Sequence, residues 1–150
     1  MSVTVRPVEA ADREQWGRLY AGYAVFYKTE QDEAMRDRVF GWLMDESAQS
    51  RGLVAVDADG TLLGLAHYRP FARPLSATMG CYLDDLFVDP RRRGSGVVEA
   101  LFEALRAIVD EEGWSVVRGI TRDDNYRARA VYDQFAERTN WVTYDYAPKR

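Results

Sequence analysis

The sequence has little of what nucleic-acid binding, metal binding and disulfide bonding require. Its 20 basic and 24 acidic residues give a net charge of −4, so the positive field of a phosphate-neutralising protein is missing and nucleic-acid binding is not expected. The one cysteine, Cys81, has no partner for an internal disulfide, and the one histidine, His67, is too few for a Cys/His zinc site. We therefore expect a cytoplasmic protein that holds no metal.

Long apolar stretches are missing as well. No run approaches the ~18 residues that span a bilayer, and Met1 to Pro7 lack the apolar stretch of a signal peptide, so no membrane association is expected. The 150 residues contain no linker, repeat or low-complexity tract, so residues 1–150 are expected to form a single domain. Lysine is scarce, and three arginines follow one another at Arg91, Arg92 and Arg93. An acidic chain thus carries one concentrated basic spot.

Hydrophobic periodicity predicts an α/β (α+β) chain with the order β-α-α-β-β-β-α-β-α-β. Apolar residues recur at three- and four-residue steps after Asp12, Asp32 and Ser95, which indicates three amphipathic helices. The strands are predicted at Ser2–Arg6, Leu53–Val56, Leu62–Tyr68, Met79–Val88, Trp114–Ile120 and Trp141–Tyr146, with a loop at Arg69–Ser76 and a fourth helix at Asn125–Arg138. The alternation of strand and helix in the last third predicts a parallel pair added to antiparallel strands.

The segment from Asp89 to Glu99 is the most informative in the chain. It places two glycines and three arginines between a strand and an amphipathic helix, so backbone amides and cations converge, which suits a diphosphate. A Walker loop is excluded because Val97 and Val98, not Lys-Ser/Thr, follow Gly96, and Glu99 stands where a dinucleotide fingerprint needs a small residue. The alternative is an ordinary glycine loop with solvated arginines.

Two stretches of the sequence resemble the GNAT superfamily of N-acetyltransferases. Arg93, Gly94 and Gly96 match the acyl-CoA-binding pattern Arg/Gln-x-x-Gly-x-Gly/Ala, with Val98 in place of the last small residue. Asn125-Tyr-Arg-Ala-Arg-Ala-Val-Tyr132 resembles the family's Asn-x-x-Ala-x-x-x-Tyr stretch. The resemblance covers nearly the whole chain and is nearest to the diamine acetyltransferases and the small fungal histone- and amino-acid-acetylating enzymes. It implies a mixed, mostly antiparallel central sheet with helices on both faces.

The resemblance also implies the reaction, which is transfer of an acetyl group from acetyl-CoA to the primary amine of a small molecule, a polyamine, diamine or amino acid. Tyr132 is expected to protonate the leaving thiolate. The backbone N–H groups of Leu86, Phe87 and Val88 are expected to stabilise the oxyanion. Members of the branch often pair, and the aromatic strand Trp141–Tyr146 offers a surface for a second copy, so a homodimer is expected. The expected cofactor-binding residues are Leu86, Phe87, Val88, Arg93, Gly94, Ser95, Gly96, Val97, Val98 and Asn125.

A carboxylate is needed beside the acceptor, because an amine with a pKa near 10 arrives protonated. Asp84 and Asp85 directly precede the strand segment expected to hold the thioester. Adjacent strand residues point to opposite faces, so only one of the two is expected to reach the site, and Asp84 is preferred because the resembling branch has an acidic residue there. The alternative is that both are structural residues. Cys81 is expected to be a buried apolar residue, and His67 a second base or a pocket wall.

Two other functions stay open at this point. A protein lysine or N-terminal acetyltransferase would need a long acidic groove for a basic tail, whereas the acidic residues here are scattered. A non-catalytic acyl-CoA sensor would need Arg93, Gly94 and Gly96 but could dispense with Asp84 and Tyr132.

Overall fold

Five strands and four α-helices make up the computed structural model, which describes residues 2–149. Their bounds are β1 Thr4–Pro7, α1 Arg13–Phe26, α2 Glu33–Met44, β2 Arg51–Val56, β3 Leu62–Arg73, β4 Thr78–Val88, α3 Val97–Glu112, β5 Val117–Gly119 and α4 Tyr126–Phe135. The strands lie in the order β1-β2-β3-β4-β5; only the β4–β5 pair is parallel. The expected mixed, mostly antiparallel sheet is confirmed.

Helices pack on both faces of this sheet, because successive strand residues alternate between two hydrophobic clusters. On one face Trp16 of α1 and Phe40 of α2 pack with Val54 and Leu65. On the other face Leu101 of α3 packs in a cluster with residues such as Leu53, Leu63 and Leu105. β2 shows the two-residue period directly, with Leu53 and Ala55 on the α3 side and Val54 and Val56 on the α1 side. The expectation of helices on both faces is confirmed.

The described residues fall into two compact units, one that ends at Ile120 and one that begins at Thr121. The first contains the sheet with α1, α2 and α3, and the second contains α4 and the C-terminal segment. Within the first unit Gly113 ends α3 in the left-handed conformation, with φ of 72°.

The prediction of a loop at Arg69–Ser76 is wrong for Arg69–Arg73, because β3 continues to Arg73. Pro70 pairs with Cys81 of β4 but lies beyond Tyr68, the last β3 residue that β2 pairs with. The Cys81 amide donates to Val116 on the β5 side, so β4 does not need the N–H that Pro70 lacks. A proline is therefore tolerated inside this long hairpin strand.

The last predicted strand, Trp141–Tyr146, is also wrong. Residues 136–149 have no regular secondary structure, and Trp141, Tyr144 and Tyr146 are 82%, 89% and 98% exposed. A strand needs a neighbour to complete its ladder, and residues 121–149 contain none. The other elements of the last third are shorter than predicted: β5 has three residues, and α4 ends at Phe135.

Candidate active site

The outer edge of β4 is open over its second half. β5 pairs with β4 only at Cys81, Tyr82 and Leu83, whereas β4 continues to Val88 along β3. Among residues 2–149, no strand pairs with the β5 side of β4 beyond Leu83. On that side, this part of β4 is thus left without a strand partner within the described chain.

The hydrogen-bond pattern between β3 and β4 determines which backbone groups of β4 point to the open edge. Asp89 donates its amide to Leu63 of β3 at 2.9 Å, so by the alternation of an antiparallel pair Phe87 also points its backbone to β3. Leu86 and Val88 then present their N–H and C=O groups on the open side. Of the three strand residues predicted to bind the co-substrate through their backbone, two have those groups available.

A β-bulge brings Asp84 and Asp85 onto the same face of the sheet, against the expectation that they alternate. His67 of β3 is paired with Asp85 and the next residue, Tyr68, with Leu83, so Asp84 is the extra residue. Asp85 reaches His67, and Asp84 reaches Arg69, two residues further along β3 and therefore on the same side. Both carboxylates lie on the face that carries α1.

Asp85 is the centre of a buried polar network. Its Oδ2 lies 2.8 Å from His67 Nδ1 and accepts from the Tyr20 hydroxyl at 2.9 Å, while Trp16 Nε1 donates to His67 Nε2 at 2.9 Å. Because the indole N–H only donates, Nε2 accepts and the imidazole proton lies on Nδ1, directed at Asp85. The sequence did not predict this network; the spacing of Trp16, Tyr20 and Tyr23 on one helix face is the signal it offered.

Hydrogen bonding keeps Asp85 ionised. Burial acts to raise the pKa of this carboxyl, but donors from His67, Tyr20 and Tyr23 outweigh it, and the pKa lies below its ordinary value. Burial, together with the negative charge of Asp85, raises the pKa of the Tyr20 and Tyr23 hydroxyls. Both tyrosines therefore keep their protons.

Asp84 is the more accessible carboxylate. Its side chain is 35% exposed, and it accepts a hydrogen bond from Arg69 Nε at 3.1 Å. The Arg69 guanidinium carbon lies 4.5 Å from the ring centre of Tyr82, so the cation rests on an aromatic face. Asp84 is thus held at the surface, beside the buried Asp85.

The predicted phosphate loop follows β4 directly. Asp89 accepts from the Arg91 amide at 3.0 Å and begins a short 3-10 turn, Pro90–Arg92. Gly94 and Gly96 have φ of 81° and 82°, a left-handed conformation that favours glycine. Two reversals of this kind turn the chain back into the N-terminus of α3.

This loop fits an acyl-CoA diphosphate. α3 begins at Val97 with no side chain capping it, and its first helical bond runs from Ala100 N to Gly96 O at 3.1 Å, so the amides of residues 97–99 precede that ladder. A Cβ added at Gly94 would meet nothing within 4 Å, which leaves room for a ligand. Val98, the departure from the family pattern, packs against the α3-side core.

The arginines of the loop differ in their surroundings. Arg91 is committed to Asp89, with Nη2 3.0 Å from Oδ2, and this pairing lowers the pKa of the Asp89 carboxyl. Arg93, the residue that matches the family pattern, is exposed, with its guanidinium carbon 6.0 Å from the ring centre of Phe26. Ser95 donates its hydroxyl to the Arg92 carbonyl, which braces the turn.

The two remaining predicted site residues belong to the second unit. Asn125 precedes α4, and its side-chain oxygen accepts from the Ala128 amide at 3.2 Å, so it caps that helix. Tyr132 lies in α4, is partly buried, and accepts from the Ala136 amide at 2.8 Å through its carbonyl.

Cys81 is fully buried, and burial raises the pKa of its thiol to about 11, which suits an apolar residue and not a nucleophile. Within residues 2–149, no three His, Cys, Asp or Glu side chains are grouped so as to hold a metal ion. The helices of that same range include none with the length and apolar character needed to cross a membrane.

Known structures share this fold. The ribosomal-protein-alanine N-acetyltransferase from Brucella melitensis biovar Abortus 2308 is 22% identical with a TM-score of 0.82, covering 98% of this chain and 99% of its own. AAC(6')-Iy in complex with the bisubstrate analog CoA-S-monomethyl-acetylneamine is 19% identical with a TM-score of 0.81, covering 99% and 100%. The chain therefore shares its fold with both of these proteins.

The sequence comparisons give the family. The model of the acetyltransferase (GNAT) family matches residues 14–136. D-amino-acid N-acetyltransferase HPA3 of Saccharomyces cerevisiae is 30% identical over 143 residues, which cover 95% of this chain and 89% of that relative. The chain belongs to the GNAT family and is an N-acetyltransferase, which confirms the resemblance found in the sequence.

Proposed function

We propose that the protein transfers the acetyl group of acetyl-CoA to the primary amine of a small molecule, namely a polyamine, a diamine or an amino acid. The observation that carries this proposal is the open edge of β4, flanked by Asp84 and Asp85 at one end and by the glycine loop at the other. The relative HPA3, named a D-amino-acid N-acetyltransferase, supports a small acceptor.

Acetyl-CoA would bind along β4 and the loop. The diphosphate would be held by Arg93, Gly94, Ser95, Gly96, Val97 and Val98, the acylated arm by the backbone of Leu86, Phe87 and Val88, and Asn125 would contact the arm as the family resemblance implies. The bound CoA analog of AAC(6')-Iy supports this choice of co-substrate. Acetyl-CoA supplies an activated thioester, and the protein needs no metal for the transfer.

Asp84 would act as the base, through a water. It removes a proton from the acceptor ammonium; the freed amine then forms a bond to the thioester carbonyl carbon, and the bond from that carbon to sulfur breaks. Asp85 is a poorer base because its pKa is lowered by its hydrogen-bond donors. We assign Asp85 the role of a fixed negative charge that attracts the ammonium.

The thiolate that leaves must take up a proton, which we assign to the Tyr132 hydroxyl on the basis of the family resemblance. The oxyanion of the tetrahedral intermediate would be stabilised by strand amides; Leu86 and Val88 have theirs on the open side of β4. The products are the acetamide and free CoA thiol. The proton taken by Asp84 returns to solvent, and the second proton, which the nitrogen loses as the intermediate collapses, passes through water and restores the Tyr132 hydroxyl.

We also propose that residues 1–150 act as one catalytic domain, because the family match spans the boundary after Ile120. The exposed Trp141, Tyr144 and Tyr146 support a homodimer in which they are covered. A cytoplasmic location is in keeping with the unpaired Cys81.

A thiol-release assay with acetyl-CoA tests the proposal. Polyamines, diamines, D- and L-amino acids and a basic peptide are offered in parallel, and turnover is expected with at least one small amine. Turnover on the peptide alone would make the protein a protein acetyltransferase. Thermal stabilisation by CoA with no turnover on any amine would make it a sensor.

A further inference from the structure

We propose that the acceptor carries a carboxylate beside its amine, as an α-amino acid does, and that Arg69 binds this carboxylate. This inference rests on the proposed function, since it names the substrate class of that same site. It separates amino acids from the polyamines and diamines that share the primary amine.

The geometry of Arg69 leaves it able to bind an anion. Its Nε donates to Asp84 at 3.1 and 3.3 Å, and its two terminal nitrogens have no hydrogen-bond partner among residues 2–149. The side chain is 36% exposed, and the ring of Tyr82 supports the guanidinium 4.5 Å away. A stacked guanidinium with two unused nitrogens is oriented to form a bidentate pair with a carboxylate.

Arg69 also lies where an acceptor would approach. On β3 it is paired with Tyr82 and lies on the same face as His67, which contacts Asp85. The open edge of β4 begins just beyond Tyr82, because Leu83 is the last β4 residue that pairs with β5. One cation and two carboxylates are thus adjacent at the start of the proposed thioester site.

The charges of an α-amino acid are complementary to this arrangement. Its ammonium and carboxylate are attached to one carbon, so they meet a carboxylate and a guanidinium that are themselves in contact, Asp84 and Arg69. A polyamine would instead bring a second ammonium toward Arg69, and like charges disfavour that complex. Arg69 therefore both attracts the amino acid and rejects the polycation.

The test uses sets of three acceptors that share one side chain: the amino acid, its amide and the amine without the carboxyl group. Alanine, leucine and phenylalanine sets, in both enantiomers where they exist, are assayed with wild type and with Arg69→Gln. Comparing variant with wild type for each acceptor cancels the intrinsic reactivity of its amine. Because Arg69 also donates to Asp84, the variant can lower kcat/KM for all three acceptors, and the readout is the difference between them. We expect kcat/KM for the amino acid to fall roughly 10- to 100-fold more than kcat/KM for the amide and the plain amine, mainly through KM.

Arg69→Lys is expected to recover part of the lost kcat/KM for the amino acid, because lysine keeps the positive charge but cannot form the two parallel hydrogen bonds of a guanidinium. Arg73→Gln, on the same strand and paired with Ser115, is the control and should leave all ratios unchanged. An equal loss for all three acceptors in Arg69→Gln, or a wild-type preference for amines without a carboxylate, would overturn the inference while leaving the proposed function intact. Failure of every amine, polyamines included, would overturn the proposed function itself.

Discussion

His67 and Asp85 share a buried hydrogen bond of 2.8 Å between Nδ1 and Oδ2, on the face of the sheet that carries α1. Trp16 fixes the direction of this bond, because its indole N–H occupies Nε2 at 2.9 Å. The chain of donors runs from Trp16 through His67 to a carboxylate at the bulge of β4. Trp16 of α1 thus fixes, through His67, the hydrogen bond that holds the Asp85 carboxylate at the candidate active site.

The proton of His67 is expected on Nδ1 and can be located directly. His67 is the only histidine, so its two ring nitrogens give unambiguous nitrogen NMR signals, with Nδ1 protonated and Nε2 unprotonated at pH 7.5. Trp16→Phe leaves Nε2 buried without a donor and should lower the free energy of unfolding by about 1–3 kcal/mol. Trp42→Phe, at a side chain that is 46% exposed, is the control. A protonated Nε2 in wild type would contradict the assignment.

Asp84→Asn should lower kcat roughly 100-fold and leave the affinity for acetyl-CoA unchanged, because it removes the proposed base and touches no part of the phosphate loop. Steady-state kinetics with a saturating amine, together with CoA binding by calorimetry, measures both. Asp110→Asn, an exposed change on α3, serves as the control. If kcat of Asp84→Asn equals that of wild type across a pH series, Asp84 is not the base.

Tyr132→Phe should lower kcat by about 100-fold, since it removes the proposed acid but keeps the partly buried ring. Tyr126→Phe makes the same chemical change on the same helix at a side chain that is 74% exposed, and should have no effect. Full activity of Tyr132→Phe would mean that water protonates the thiolate.

The sequence predicts the helices, the antiparallel strands and the glycine loop because the signal for each lies in neighbouring residues. Gly94, Gly96 and Gly113 mark backbone reversals that few other residues adopt, and all three have positive φ. The amphipathic run that begins after Ser95 corresponds to α3, Val97–Glu112. These signals depend on neighbours within a few residues, so they can be recognised in the sequence before the fold is known.

The bulge and the polar network could not be predicted in the same way. Alternation placed Asp84 and Asp85 on opposite faces, and only the pairing of β4 with β3 reveals the extra residue that puts them together. The partners of His67 are 51 residues before it and 18 after it, so no local pattern joins them. The predicted strand Trp141–Tyr146 failed for a related reason: its alternation is local, but a ladder needs a partner strand.

Gly96→Ala should raise the KM for acetyl-CoA. A side chain in the left-handed conformation costs about 1–2 kcal/mol, and relief of that strain would turn the first amides of α3 away from a phosphate. Gly41→Ala is the matched control, because Gly41 lies within α2 and a Cβ there meets nothing within 4 Å. It should be neutral or slightly stabilising. An unchanged KM for acetyl-CoA in Gly96→Ala would show that co-substrate binding does not depend on the left-handed conformation at Gly96.

Asp12 should stabilise the fold in a pH-dependent manner. Its carboxylate accepts from Arg6 at 2.7 and 3.0 Å and from the Glu9 amide at 2.8 Å, and it makes no capping hydrogen bond to α1. The hydrogen bond from Arg6 holds the pKa of Asp12 below its ordinary value, although burial opposes it. The folded protein therefore binds this proton less readily than the unfolded chain, whose aspartates have pKa values near 3.9.

The stabilisation is fully present above the unfolded pKa and is lost as the pH falls through the folded one. Asp12→Asn should lower the free energy of unfolding by about 1–3 kcal/mol at pH 7, and the gap to wild type should narrow below about pH 4. Urea unfolding followed by tryptophan fluorescence from pH 3 to 7 measures it. Asp85 keeps its own pH dependence in both proteins, so it cancels in the difference. A gap of constant size over this range would show that the charge of Asp12 contributes nothing to stability.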